Sequence, residues 1–463
     1  MQLLPKILYR SIGPLLVVIF VLTSCTLSPT TTSPTNPHHL QLDKEDLQFS
    51  NKQLTIAVFE GAYGITYWEE VIQRFEADFP GVQVTMMANP KIMEIIKPMN
   101  VSGNPPDFIY APLSDESHTV NKMIYEEALL DLSDLFASHA LDQPVPLRDL
   151  MMDDIMEFTK PYDTNNIYIA PLYITTEGLW YNKNLFKQKG WQPPRTWDEF
   201  WQLGELAKAD GRHLLTYQGI YPGYLTSVLW SSIAANMTGN EVHNITHYEK
   251  GSFQTAAVRK TLSLFETIVD QQYLMPDTAI LNHTQAQTEF LKGKALFIPN
   301  GNWFEGEMKD IAREEGFDFG YLPPPTFTKN DQQYTQLSFE AMFIPAKAKN
   351  KELAKLFLKY QYVDEIVKLN AQESTGIIAL KNGAELAKPF IPASVYDSAT
   401  IFNRGVTPVI VRWSVFPNTE IKIIDEIFNP ISDMLHRGLS AEQAMDRVEK
   451  TFTNIREAKS KLN

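Results

Sequence analysis

Residues 54–113 alternate short apolar runs with amphipathic stretches, and this alternation restricts the fold more than any other feature of the chain. LTIAVF (54–59) is rich in β-formers and is followed by a Gly-punctuated loop, EGAYGITY. In YWEEVIQRFEADF, Trp68, Val71, Ile72, Phe75 and Phe79 recur at spacings of three and four, which marks one face of a helix. Pro80-Gly81 stops that helix, VQVTMMA reads as the next strand, and a second helix over 91–99 leads into the strand DFIYAPL. A β-α-β-α-β run predicts a parallel sheet with helices on its faces. Ligands of such sheets sit at the carboxyl ends of the strands, which singles out the loops starting at Glu60, Asn89 and Tyr110.

The alternation continues. IYIAPLY reads as a strand and TWDEFWQLGELAK as a helix, with Thr196 and Glu199 spaced as a capping box. ALFIPNGNW and AMFIPA read as later strands, the first running into a loop. Ser440 and Gln443 form a second capping box, and Ala444, Val448, Phe452 and Ile455 mark the buried face of a final helix. A chain of 463 residues needs more than one core, so two α/β lobes with more than one crossing between them are expected.

Cys25 is the only cysteine, so no disulfide is expected, and it closes the apolar run LLVVIFVLTSC behind Lys6 and Arg10. The run 15–22 is well short of the roughly 20 residues a membrane-spanning helix needs, and the layout is that of a secretory signal peptide. Leu22-Thr23-Ser24-Cys25 resembles a bacterial lipobox, which implies cleavage before Cys25 and acylation of its thiol. On that reading residues 1–24 are the signal peptide. Residues 25–50, rich in Ser, Thr and Pro and then polar, are a lipid-anchored linker to the outer face of the membrane.

The formal charge is −14, and loss of Lys6 and Arg10 with the leader takes it to −16. So acidic a chain, without basic runs, is a poor partner for phosphate backbones, and nucleic acid is set aside. HExxH, CxxC, GxSxG and P-loop motifs are absent from the sequence, and neither metal nor cofactor is expected.

The stretches YITTEGLWYNKNLFKQKGWQPPRTWDEF, FLKGKALFIPNGNW and AMFIPAKAKNKELAKLFLKY together resemble the extracellular solute-binding proteins of ABC importers, in the carbohydrate-binding family that includes maltose-binding protein. QESTGIIALKNGAEL is similar to the branch that binds N-acetylglucosamine or its short oligomers. The resemblance implies an α/β, two-lobed periplasmic-binding-protein fold with the ligand cleft between lobes. It implies a monomer that captures a mono- or oligosaccharide outside the cell and delivers it to the permease subunits. Lobe I would hold 51–162 with 337–384, and lobe II 163–336 with 385–463. Two other readings stand beside it: a surface-anchored glycoside hydrolase, and the same fold binding a non-sugar solute.

A pyranose has an apolar C–H face and a rim of hydroxyls, so its site needs aromatic rings and fixed polar groups. Trp303 follows Asn302 in a Pro-Asn-Gly-Asn turn directly after a strand, where it either meets ligand, as the family's cleft tryptophan does, or starts a helix at Phe304. Glu177 lies between a strand and the YNK block, where it can accept bonds from neighbouring hydroxyls or pair with Lys183. Tyr173 on the same edge faces cleft or core. Tyr221 and Tyr224 frame a Pro-Gly turn and face either the cleft or Trp230. Glu60 and Tyr63 open the loop after the first strand, which is either a ligand loop or a solvated one. Glu340 is a charge inside the apolar run LSFEAMFIP, facing cleft or solvent. Trp413 and Tyr110 complete the candidates.

Overall fold

The computed structural model describes residues 49–113, 117–160, 165–414 and 422–460. The opening alternation folds as its pattern predicts. Strand β1 (Gln53–Phe59) pairs in parallel with β2 (Gln83–Asn89) and with β3 (Phe108–Pro112). The helix Thr66–Asp78 between β1 and β2 turns Tyr67, Trp68, Val71 and Phe75 inward, while Ile72 of the same stripe is half-buried. Gly81, at φ 89°, takes the left-handed turn that ends this segment, a conformation glycine adopts without steric cost. The second helix runs Ile92–Val101.

Six more strands complete the sheet: β4 (Ala170–Asn182), β5 (His213–Leu215), β6 (Ala295–Gly301), β7 (Phe319–Leu322), β8 (Tyr334–Phe343) and β9 (Thr407–Val409). The order is β2-β1-β3-β8-β4-β6-β5, with β7 beside β4 and β9 beside β8. β8 and β4 lie at the middle and are the long strands. At one end, Glu340 to Phe343 of β8 pair with β3. At the other, Leu179 to Asn182 of β4 pair with β7, and Tyr334 to Gln336 of β8 pair with β9. The same two strands therefore serve both halves of the molecule.

Each half has its own apolar cluster. One gathers Ala57, Ile96, Ile109, Ile174, Phe339 and Phe343 around β1, β3 and β8. The other gathers Phe200, Trp230, Phe265, Phe297, Phe428 and Phe452 around β5, β6 and the helices that cover them. The capping boxes at Thr196/Glu199 and Ser440/Gln443 both form. In the last helix (Ala441–Ser460), Ala444, Val448, Phe452 and Ile455 are all buried. Cys25, with the expected leader and the linker as far as residue 48, lies outside the described residues. Among the described residues no helix is long and apolar enough to cross a membrane.

Phe452 is fully buried and meets Tyr248 and Phe253 edge-on. Phe452→Ala is expected to lower the unfolding free energy by about 3–5 kcal/mol, the usual cost of deleting a buried ring. Guanidinium denaturation measures it.

Candidate functional site

Alternation along the central strands separates two chemistries. In an antiparallel pair, residues directly opposite point to the same face, and successive residues point to opposite faces. β4 and β8 pair Thr175 with Ser338 and Glu177 with Gln336. One face therefore carries Thr175 and Glu177 of β4 with Gln336, Ser338 and Glu340 of β8, and Tyr110, opposite Met342, adds to it from β3. The other face carries Ile174, Leu337, Phe339 and Ala341, all members of the core. The register is tied on the polar face by a hydrogen bond between the Thr175 and Ser338 hydroxyls.

Trp303 reaches this face through a glycine. Gly301, the last residue of β6, is directly opposite Glu177. A Cβ at 301 would overlap the six-membered ring of Trp303, so the indole lies over the glycine backbone on the Glu177 side of the sheet. The indole is half-buried, and Trp303 also sits at the N-terminus of the short helix Phe304–Glu307 without giving it a side-chain cap. Asn302 is buried and fastens the turn to β4, its backbone N–H donating to the Thr176 carbonyl at 3.1 Å and its amide to the Ile174 carbonyl at 3.2 Å.

Three tyrosines close the opposite end. Tyr63 stacks on Tyr173 at 4.1 Å and 21° and donates to the Asn302 side chain at 3.4 Å. Tyr110 meets Tyr173 edge-on at 5.7 Å, and its hydroxyl donates to the Glu340 carboxylate. Asn370 donates to the Tyr173 hydroxyl at 2.8 Å. Tyr63, though on a loop, is thus a wall residue. Tyr173, fully buried, is the platform against which it rests.

The remaining candidates are placed differently. Glu60 is exposed, and its backbone N–H bonds Asn89 at 3.2 Å. Tyr221 is 48 % exposed, its ring 5.7 Å from His283. Tyr224 is half-buried in the turn Pro222–Leu225, next to Thr226, whose hydroxyl donates to Gln336 at 2.7 Å. Trp413 packs on Trp230 at 5.7 Å and on Tyr248 at 5.5 Å, against the second core. Lys183, the alternative partner for Glu177, is paired with Asp318 at 3.3 Å instead. Thr175, Gln336, Ser338 and Thr226 join the polar face without having been picked out. The period-two pattern of QLSFEAMF carried the signal for Gln336 and Ser338.

Burial sets the electrostatics. The Glu177 carboxyl keeps some solvent access, yet enough protein surrounds it that desolvation raises its pKa to about 7. Desolvation likewise raises Glu340 to about 7, opposed by the bond from Tyr110. Tyr63 and Tyr110 are pushed well above the ordinary tyrosine range, by burial first and then by Glu340. Polar groups ready to bond hydroxyls, an indole face and a desolvated carboxyl make a site suited to a small polyhydroxylated solute. β8 carries Glu340 four residues beyond Gln336, the partner of Glu177, about 13 Å along the strand at 3.3 Å per residue.

A fold with paired lobes sharing two central strands, and a polar site on those strands, defines a class, and comparison with known proteins gives the family. The chain belongs to the bacterial extracellular solute-binding proteins, whose family model matches residues 61–368. Among relatives, it is 27% identical to the diacetylchitobiose binding protein NgcE of Streptomyces coelicolor over 77% of this chain and 74% of that one. It is 24% identical to the multiple sugar-binding protein of Streptococcus mutans, over 63% and 67% of the two chains. The maltose-bound MalE3 structure of T. maritima superposes with a TM-score of 0.69 at 17% identity, covering 87% of this chain and 99% of that one, which establishes the shared fold. The family is one of binding proteins and its members are extracytoplasmic.

The two raised carboxyls make stability depend on pH in a definite direction. Each binds its proton more tightly in the folded chain, at about 7, than at its ordinary 4.5. The associated stability is fully present below the ordinary value and is lost as pH rises through about 7. Without ligand, unfolding free energy is therefore expected to fall between about pH 5 and 8, by no more than about 1.4 kcal/mol per pH unit for each group. Denaturation midpoints across that range measure it, and Glu177→Gln with Glu340→Gln should flatten the slope.

Proposed function

We propose that the protein is the solute-binding component of an ABC importer, capturing a sugar or short oligosaccharide outside the cell and delivering it to the permease. The observation that carries this reading is the indole of Trp303 lying over Gly301 directly across from Glu177. That arrangement offers a flat apolar surface and a hydrogen-bond acceptor at one spot, which is what a pyranose ring presents itself to. Relatives support it, being described as binding diacetylchitobiose, multiple sugars and, in Pyrococcus abyssi, maltotriose.

The ligand-contacting set would be Trp303, Glu177, Glu340, Tyr63 and Tyr110, with Asn302 and Tyr173 holding them in position. Lobe I would comprise 51–162 with 337–384 and lobe II 163–336 with 385–463, closing on the bound sugar as a monomer. Acylated Cys25 would hold the domain at the outer face of the membrane by the linker 25–50. Unchanged membrane fractionation of Cys25→Ala, with no lipid mass on the mature N-terminus, would refute the anchor.

A thermal-shift screen of the mature domain against mono- and oligosaccharides tests the function, since a ligand at 100 times its Kd adds about 2.7 kcal/mol of stability. Trp303→Ala is expected to weaken sugar binding by roughly thirtyfold, the equivalent of about 2 kcal/mol for a buried aromatic anchor. Calorimetry reads the affinity. Unchanged affinity in a folded variant would remove Trp303 from the site.

A further inference from the structure

Among the described residues Glu177 has no side-chain partner. Its carboxylate takes neither a hydrogen bond nor an ion pair from them, and burial alone sets its proton affinity, with no lysine or arginine acting on it. The other acids near the tryptophan turn are all engaged. Glu340 receives the Tyr110 hydroxyl, Glu305 receives Ser394 and is acted on by Arg313 and Lys183, and Glu307 receives the Gln287 amide at 2.8 Å. The internal segments 114–116, 161–164 and 415–421 contain no lysine or arginine either, so they hold no cation that could serve as the missing partner.

The groups around Glu177 are neutral or acidic. Tyr63 and Tyr321 lie within its electrostatic reach, Glu340 lies farther along the same face, and the Trp303 ring covers the opposite residue. Arg404 acts on Tyr321, and its guanidinium donates to the Asp397 carbonyl at 2.6 Å. A desolvated carboxylate is costly unless it is protonated or meets a countercharge. A neutral hydroxyl gives it a hydrogen bond but no charge. An ammonium gives both, and the faces of indole and phenol rings attract cations as well.

Building on the sugar-capture reading, we infer that the preferred solute is an amino sugar whose free, protonated amine sits on the Glu177 carboxylate while its ring stacks on Trp303. The strand spacing between Glu177 and Glu340 leaves one ammonium to Glu177 alone, with Glu340 and Tyr110 bonding hydroxyls farther along. The acidic chain, at −14, favours approach of such a cation.

The test is calorimetry on the mature chain near pH 7 with three β-1,4-linked glucose disaccharides that differ only at C2. Cellobiose carries hydroxyl, diacetylchitobiose acetamide, and fully deacetylated chitobiose amine; spermidine is the fourth ligand. The deacetylated disaccharide is expected to bind at least about tenfold tighter than the other two, equivalent to about 1.4 kcal/mol. Glu177→Gln, which removes the charge and keeps the shape, should bring all three within about threefold of one another, whereas Glu340→Gln should keep the preference. If cellobiose or diacetylchitobiose binds as tightly as the amine form, or if Glu177→Gln keeps the preference, the inference is wrong and sugar capture stands. If no disaccharide binds, the inference is wrong, while sugar capture falls only if the wider saccharide screen also gives no shift. Spermidine binding as tightly as the amino disaccharide would show that the amine is recognised without the sugar, which also overturns it.

Discussion

The antiparallel pairing of β4 with β8 is the constraint on which the rest depends. Its register puts Ile174, Leu337, Phe339 and Ala341 into the core and Thr175, Glu177, Gln336, Ser338 and Glu340 on the other face. A slip of one residue would exchange the faces and bury the carboxyls in the apolar cluster, a large penalty that keeps the register unique. The same pairing carries the chain between the two halves, so the strands that hold the polar face also set how the halves meet. A solute touching Glu177 and Glu340 together spans that connection.

Burial of these carboxyls is a local cost that the surrounding structure withstands. Glu177 and Glu340 stabilise the folded chain least at the pH where they are ionised, and the aromatic cores on either side supply the compensating cohesion. The wall of the site is rigid for the same reason. Tyr173 is held by Asn370, by the stacked ring of Tyr63 and by close approach to the Gly376 backbone, so the polar groups beside it start from fixed positions rather than being ordered by ligand.

Local patterning made the parallel β-α-β unit, both capping boxes and the last helix readable, because each depends on neighbours within a few residues. For Trp303 the sequence left open a cleft position or the start of a helix; it begins the helix Phe304–Glu307, and its ring lies over Gly301. β4 was cut short at Tyr173 because Thr175, Thr176, Glu177 and Gly178 break the apolar run. They continue the strand because one face binds polar neighbours and Gly178 lets Tyr321 and the Leu322 backbone approach. The loop of Tyr63 could be read as either ligand-facing or solvated, because the contacts that bury the ring, the stack on Tyr173 and the bond to Asn302, come from residues at least 110 positions away in the chain. The placement of Trp413 was equally long-range, its neighbours Trp230 and Tyr248 lying far upstream.

Most attachments of the site lead back to β4. Asn302 bonds the carbonyls of Ile174 and Thr176, Thr335 donates to the Glu177 carbonyl at 2.7 Å, and Tyr63 leans on Tyr173. Pairing with β8 is interrupted between Pro171 and Ile174, and there the segment at 377–379 takes over: Ile174 donates to Ile377 at 2.9 Å and Ala379 donates to Leu172 at 2.8 Å. An interruption of this kind lets a strand bend at small cost in ladder bonds. Of the two contacts made by Tyr63, the stack at 4.1 Å is the stronger and the 3.4 Å bond to Asn302 the weaker. Through Asn302 and Tyr173 the Trp303 turn and the Tyr63 loop are both fastened to β4, and the two meet at the bond from Tyr63 to Asn302.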